Sequence, residues 1–138
     1  MEEKRNATRG MARKVGATIS EVVNTAVTAE EALSRLEPEE RDWVRRFRDE
    51  ARSVLGERLR DLRLFGSRAR GEKHEESDID LLVLVAALDD DTRTLLVDLA
   101  FSISTWLSPL IADFDLYHAP RSRATGLYRE MRAESIRL

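Results

Sequence analysis

Residues 64–85 read LFGSRARGEKHEESDIDLLVLV, and in this sequence a charged loop joins the end of one predicted strand to the start of another. Alternate residues of a β-strand point to the same face, so Asp78 and Asp80 are expected side by side where a strand begins. The apolar run at 81–85 is typical of a strand that is buried on both faces. Two neighbouring carboxylates repel each other and lose hydration when they are partly buried, and a divalent cation is the usual compensation. The pattern therefore predicts a metal site at the start of this strand.

The first half of the stretch offers groups that suit phosphate. Gly66 accepts backbone angles that other residues resist and lets the main chain approach a ligand closely. Ser67 has a hydroxyl, and its N–H lies where a helical turn could begin, which favours anions. Arg68 and Arg70 carry planar donors that match phosphate oxygens. We therefore predict a phosphate-binding turn beside the two carboxylates.

The order of these residues resembles the signature of the nucleotidyltransferase superfamily. That signature consists of Gly-Ser, a spacer of ten residues and Asp-x-Asp, and residues 66–80 match it without a gap. The flanking sequences, LFGSRARG and SDIDLLV, are similar to those of the minimal nucleotidyltransferases (MNT), and so is the ending REMRAESIRL. The resemblance extends over residues 40–138, and residues 66–82 are its diagnostic part.

This resemblance implies a fold and a set of site residues. The implied fold is of the α+β class, a nucleotidyltransferase fold with a small mixed β-sheet and helices packed mainly on one side. Asp78, Asp80 and a third carboxylate are expected to bind Mg²⁺ or Mn²⁺, with ATP as the nucleotide substrate. Gly66, Ser67 and Arg68 are expected to hold the phosphates of the nucleotide.

The third carboxylate depends on where the third strand lies, and the sequence allows two registers. In one, residues 110–117 form the strand, Asp113 and Asp115 share a face, and Phe-Asp-Leu at 114–116 resembles the family's Val-Asp-Leu. We prefer this register, which makes Asp115 the third ligand and Asp113 the fallback. In the other, residues 107–112 form the strand, Asp113 starts a loop or caps a helix, and the third carboxylate is missing.

Composition limits the chemistry further. The chain has 138 residues, which is most simply one domain with a modest core. It has no cysteine and two histidines, so thiolate and histidine-built zinc sites are excluded, and a metal should be a hard ion held by oxygen. The net charge of −3 gives no overall positive field for nucleic acid. No apolar run reaches membrane length, and we expect a cytoplasmic protein.

The chain divides into an N-terminal extension and a domain that carries the motif. We assign residues 1–38 to a polar tail and helical extension, and residues 39–138 to a minimal nucleotidyltransferase domain. The β-branched residues at 15–27 allow a helix or a strand, and the spacing of the apolar ones favours a helix. Thr28 and Glu31 form a capping box that opens a short helix. A dimer contact is one role for this extension.

The remaining elements are read from local signals. Pro38 suits the first turn of a helix, which the apolar spacing continues over 39–56, and a strand follows at 58–65. The acids at 89–91 indicate the N-terminus of a helix and not a metal site. A closing helix is expected at 127–135. Helices and strands in this order agree with the α+β class.

Three functions fit these observations, and they differ in the acceptor. By resemblance, MNT proteins act as antitoxins to HEPN ribonuclease toxins, some by transfer of AMP to a tyrosine of the toxin, which gives an adenylyltransferase antitoxin as the first hypothesis. The second is a catalytically weak module that neutralises its partner by binding. The third is transfer to a small molecule such as an aminoglycoside, which usually involves an additional domain. A homodimer or a hetero-oligomer with the partner is consistent with a site this small.

Overall fold

The structure is a computed structural model that describes residues 27–71 and 78–138. The helices are α1 (Ala29–Ser34), α2 (Pro38–Leu55), α3 (Asp90–Ile103), α4 (Phe114–Tyr117), α5 (Pro120–Arg123) and α6 (Gly126–Glu134). The strands are β1 (Leu59–Phe65), β2 (Ile79–Val85), β3 (Leu107–Asp113) and β4 (Ile136–Arg137). Short 3₁₀ turns cover Gly56–Arg58 and Gly66–Arg68.

The described strands form a mixed sheet with the order β3-β2-β1-β4. β1 is antiparallel to β2 and to β4, whereas β2 and β3 run parallel and are joined by the crossover helix α3. Pro109 lies within β3, where it is tolerated because β3 is an edge strand of the sheet. The predicted α+β class with a small mixed sheet is confirmed.

Local signals place the helix ends. Thr28 and Glu31 form the predicted capping box at the start of α1, and Pro38 occupies the first turn of α2. The side chain of Asp89 accepts a hydrogen bond from the N–H of Thr92 at 2.8 Å, so it caps α3 as its position predicts. These three predictions from the sequence are confirmed.

Helices α2 and α3 bury the main core against one face of the sheet. Side chains of α2 such as Val44 and Phe47 are fully buried together with Leu81 and Val83 of β2. The opposite face of β2 contributes Leu82 and Leu84, which pack with other apolar side chains such as Met131 of α6. β2 is therefore covered on both sides, which explains its unbroken apolar run.

Several apolar side chains that the helical spacing places inward lie outside. Val54 is 57% exposed, Leu95 is 44% exposed and Leu127 is 55% exposed. Each lies at the margin of its helix's apolar stripe, where contact with the core depends on the tilt of the helix and not on periodicity alone. Leu33 of α1, by contrast, is completely buried in the same core as α2.

The preferred register of the third strand is wrong. β3 ends at Asp113, and Asp115 lies in the first turn of α4 and not on a strand. The structure thus has the alternative register, in which Asp113 caps the next helix.

The helix predicted at 15–27 lies outside the described residues up to position 26, and so do residues 72–77 of the spacer. In the described ranges, no helix is long and apolar enough to cross a membrane.

Candidate active site

The antiparallel pairing of β1 and β2 brings the two halves of the motif together. Phe65, the last residue of β1, pairs with Asp80, the second residue of β2. Gly66 and Ser67 follow Phe65 in a 3₁₀ turn, so the turn lies beside the start of β2. Asp78 directly precedes β2 and is exposed, whereas Asp80 is half-buried. The local arrangement predicted from the sequence, a turn adjacent to two carboxylates, is present.

Gly66 contacts the Asp80 carboxylate closely. Its φ is +77°, a left-handed conformation that favours glycine, and a Cβ built on it would lie 2.5 Å from Asp80 Oδ2. No other residue type fits here unless the carboxylate moves. The glycine of the motif thus makes room for the second aspartate, in addition to any approach by a ligand.

The negative charge of Asp80 is only partly balanced by nearby positive charge. Burial raises the pKa of Asp80 above its ordinary value, the neighbouring charge of Asp78 raises it further, and the Arg68 guanidinium opposes both. Asp78 and Asp80 therefore lie close enough for their charges to interact. A pair of acids in this condition is the donor set that a hard divalent cation compensates.

Arg68 is held by an ion pair with α2. Its side chain is 6% exposed, and its Nη1 donates a hydrogen bond to Glu40 Oε1 at 2.5 Å. Glu40 also accepts a hydrogen bond from the N–H of Glu37 as part of the cap of α2. The sequence offered no signal for the link between Arg68 and Glu40, because the two residues are 28 positions apart. Arg68 therefore anchors the turn to the helix and places positive charge near Asp80.

The structure does not bring Asp113 or Asp115 to the two aspartates. In the parallel pairing of β2 with β3, Asp80 lies opposite Ser108, and Asp113 lies opposite Val85. Val85 is five residue steps along β2 from Asp80, which corresponds to about 16 Å. Asp113 is thus at the far end of the sheet, and Asp115 follows it in α4.

Asp113 has a structural role at that end. Its Oδ1 accepts a hydrogen bond from the N–H of Leu88 at 2.9 Å, and its Oδ2 accepts one from the N–H of Leu116 at 3.1 Å. These hydrogen bonds lower the pKa of Asp113 below its ordinary value. Both carboxylate oxygens of Asp113 are therefore occupied, one by the loop after β2 and the other by the first turn of α4.

The residues present fit a metal ion, although β3 contributes no carboxylate beside Asp80. The acid pair of Asp78 and Asp80, whose charge Arg68 balances only in part, favours a hard cation bound by both carboxylates. Along β3, the residues on the Asp80 face are Ser108, Leu110 and Ala112. Across residues 27–71 and 78–138, no group of three or more acidic, histidine or cysteine side chains is arranged to hold a metal.

Comparison with known proteins identifies relatives. A protein of Methanocaldococcus jannaschii named "putative protein adenylyltransferase" is 43% identical over 42 residues, which are 30% of this chain and 42% of that protein. The aligned part thus spans less than half the length of this relative. A "putative nucleotidyltransferase" from Sulfolobus solfataricus has a TM-score of 0.47 at 17% identity over 89% of each chain. A mutant of the toxin–antitoxin pair MntA–HpeT has a TM-score of 0.44 at 25% identity over 64% of this chain and 67% of that one.

The strongest evidence for a family comes from residues 44–114. They match the model of the nucleotidyltransferase domain, and they make up just over half of the chain. The matched region contains α3, most of α2 and the whole of β1, β2 and β3, and so includes the turn at Gly66 and both aspartates. The chain therefore belongs to the nucleotidyltransferase domain family.

Proposed function

We propose that the chain is a metal-dependent nucleotidyltransferase that moves AMP from ATP onto a hydroxyl group of a protein. The observation that carries this proposal is the packing of the Gly66 turn against Asp80, with Asp78 beside it. AMP as the transferred group and protein as the acceptor are supported by the name of the Methanocaldococcus relative. The antitoxin role toward a HEPN toxin is part of the proposal and is supported by the sequence resemblance of the flanking residues.

In the proposed reaction, the acceptor oxygen attacks the α-phosphorus of ATP. The bond between this phosphorus and the bridging oxygen of pyrophosphate breaks, and the acceptor's proton passes to solvent. Asp78 and Asp80 would hold Mg²⁺ or Mn²⁺, which supplies positive charge to the attacking and leaving oxygens. Acids with a raised pKa, as at Asp80, must lose their proton to bind such an ion.

The turn after β1 orients the leaving group in this proposal. The main-chain N–H of Ser67 and its hydroxyl lie at the start of the 3₁₀ turn, where they can donate to phosphate oxygens. Arg68 acts as a positioning residue, because its ion pair with Glu40 fixes the turn to α2. Most of the catalysis then comes from the orientation of ATP and from electrostatic stabilisation.

One observation favours a second function. Opposite Asp80, β3 offers the hydroxyl of Ser108 and no carboxylate. A nucleotidyltransferase domain with two carboxylates binds metal less strongly than one with three, and such a domain could neutralise a partner protein by binding alone. The second candidate is therefore a binding antitoxin with little or no transferase activity.

Label transfer distinguishes the two functions. The chain is incubated with ATP labelled at the α-phosphate, Mg²⁺ or Mn²⁺, and a HEPN-domain protein or a cell lysate. We expect a labelled protein with the wild type and with Asp115→Ala, and none with Asp78→Ala or Asp80→Ala. No label on any protein, together with a stable complex with the HEPN protein, supports the binding antitoxin. Equal labelling by Asp80→Ala and the wild type overturns the proposed site.

A further inference from the structure

A large groove lies on the same face of the sheet as Asp80 but does not include it. Its volume is about 1020 Å³; Leu82, Leu84 and Met131 contribute apolar lining, and Phe114 and Tyr117 contribute aromatic rings. Leu82 is two residues from Asp80 on the same strand face, a distance of about 7 Å between Cα atoms. The Leu82 end of the groove is therefore the end nearer the candidate active site, whereas Phe114 and Tyr117 lie toward the far end of the sheet.

The charged side chains along this groove are mainly arginines, and we call it the arginine groove. They are Arg60, Arg63, Arg129, Arg132 and Arg137. Asp61 is the one acid among the described lining residues, and its side chain is 7% exposed. It is bound by Arg63 at 2.8 Å and by Arg137 at 3.2 Å. The groove is thus strongly positive in a chain whose net charge is −3.

Two of these arginines are available to a ligand. Among the residues that the structure describes, neither Arg60 nor Arg129 pairs with a carboxylate. Arg60 lies over the ring of Phe114, with its guanidinium carbon 5.9 Å from the ring centre. Arg129 is exposed and donates a hydrogen bond to the carbonyl of Ala124. Both guanidinium groups can therefore bind an anionic group without breaking an existing ion pair.

We propose that the arginine groove docks an acidic segment of the acceptor protein, in which carboxylate and apolar side chains alternate. The carboxylates would bind Arg60 and Arg129, and the apolar side chains would cover the leucines of β2. A segment that extends from there past Leu82 reaches Asp80, where a hydroxyl carried by the acceptor can approach the nucleotide. The acceptor role rests on the proposed function, whereas docking of the segment does not.

The lining favours a protein segment over nucleic acid. Single-stranded nucleic acid is usually bound by aromatic faces onto which bases stack. Here the lining rings of Phe114 and Tyr117 each pack edge-on against His118, with centroids 4.7 and 5.1 Å apart, and part of the floor is aliphatic. The overall negative charge of the chain also works against binding to a polyanion that extends beyond the groove.

A peptide-binding assay tests the docking site directly. The probe is a fluorescein-labelled peptide of ten residues that alternates Glu and Leu, and its anisotropy is measured with the full chain at low and moderate salt. The control peptide alternates Gln and Leu, and a decauridylate RNA tests the nucleic-acid alternative. We expect the acidic peptide to bind, and to bind more weakly at moderate salt. Equal binding of the Gln peptide, or tighter binding of the RNA, overturns the proposal.

Matched arginine variants locate the site. Arg60→Gln combined with Arg129→Gln should weaken peptide binding by about tenfold or more, because two charge-assisted contacts are lost. Arg45→Gln combined with Arg46→Gln removes the same charge from α2, outside the groove, and should leave binding within about twofold of the wild type. Equal weakening by both pairs would mean that only net charge matters and would overturn the site.

The same variants separate docking from catalysis. Asp78→Ala should retain peptide binding, because Asp78 does not line the groove. If the peptide binds as expected but the wild type transfers no label, docking stands and the proposed function fails. If the wild type labels a protein and the Arg60→Gln, Arg129→Gln variant labels it at the same rate, the proposed function stands and the acceptor role of the groove fails.

Discussion

Gly66 and Asp80 are in such close contact that a methyl group on Gly66 would lie 2.5 Å from the Asp80 carboxylate. They are adjacent because β1 and β2 pair antiparallel, with Phe65 opposite Asp80. The glycine of the phosphate turn and the second aspartate therefore form one packed unit.

Gly66→Ala should damage the site more than the fold. Its φ of +77° makes alanine cost about 1–2 kcal/mol of unfolding free energy, and the new methyl group must also push the Asp80 carboxylate aside. Gly71→Ala is a matched control, since its φ is +79° and its Cβ would have open space apart from one atom at 4.0 Å. We expect similar losses of stability in urea denaturation but loss of Mn²⁺ binding only in Gly66→Ala. Equal Mn²⁺ affinity in the two variants would contradict this.

Asp80→Asn should stabilise the metal-free protein. Because the pKa of Asp80 is raised in the folded state, its charged form disfavours folding at neutral pH, and stability is regained as the pH falls through that raised pKa. We expect the variant in EDTA to melt a few degrees higher than the wild type at pH 7 and to lose this advantage in acid. Added Mn²⁺ should raise the melting temperature of the wild type only. A lower melting temperature for the variant at pH 7 would refute the electrostatic argument.

The preferred register made Asp115 a metal ligand. The structure instead predicts that Asp113→Ala lowers stability and that Asp115→Ala has no effect on stability or metal binding. Asp113 binds two main-chain N–H groups, so its loss should lower the melting temperature by several degrees. Asp115 is exposed on α4, and its loss should change neither stability nor metal affinity. Isothermal titration with Mn²⁺ and thermal melts of both variants check this. A clear loss of Mn²⁺ affinity in Asp115→Ala would place it at the metal site after all.

Glu40→Gln should show how much the ion pair between Glu40 and Arg68 contributes to the free energy of unfolding. Gln preserves the capping box at the start of α2, so the change removes mainly the charge that faces the buried Arg68. We expect a loss of about 3 kcal/mol of unfolding free energy. Glu50→Gln, which removes the exposed partner of Arg46, should cost about 1 kcal/mol at most. Chemical denaturation measures both, and equal costs would show that burial adds nothing to the Arg68 pair.

Much of the fold could be predicted because its signals are local. The capping box at Thr28, the proline at the start of α2 and the cap at Asp89 each act within one helical turn. The apolar run of β2 likewise predicts a strand covered on both faces. These elements form as expected because their determining contacts lie within a few residues.

The residue at which β3 ends could not be predicted from local signals in the sequence. Residues 107–117 alternate well enough to support either register, and the choice depends on two distant contacts. One is the parallel pairing of β3 with β2, and the other is the hydrogen bond from the N–H of Leu88 to Asp113, 25 positions away. For the same reason the sequence could not reveal that Ser108, and no acid, lies opposite Asp80.

The motif can be recognised from the linear sequence: a glycine turn, a spacer and two aspartates, with one residue between them, at the start of an apolar strand. The order and spacing of these residues along the chain are enough to indicate the family. The groups that surround the motif depend on how the chain packs, namely Glu40 paired with Arg68, Ser108 beside Asp80 and the arginine groove on the same sheet face. The physical reason is that local signals fix helices and strands, whereas the environment of a carboxylate depends on side chains that only packing brings together.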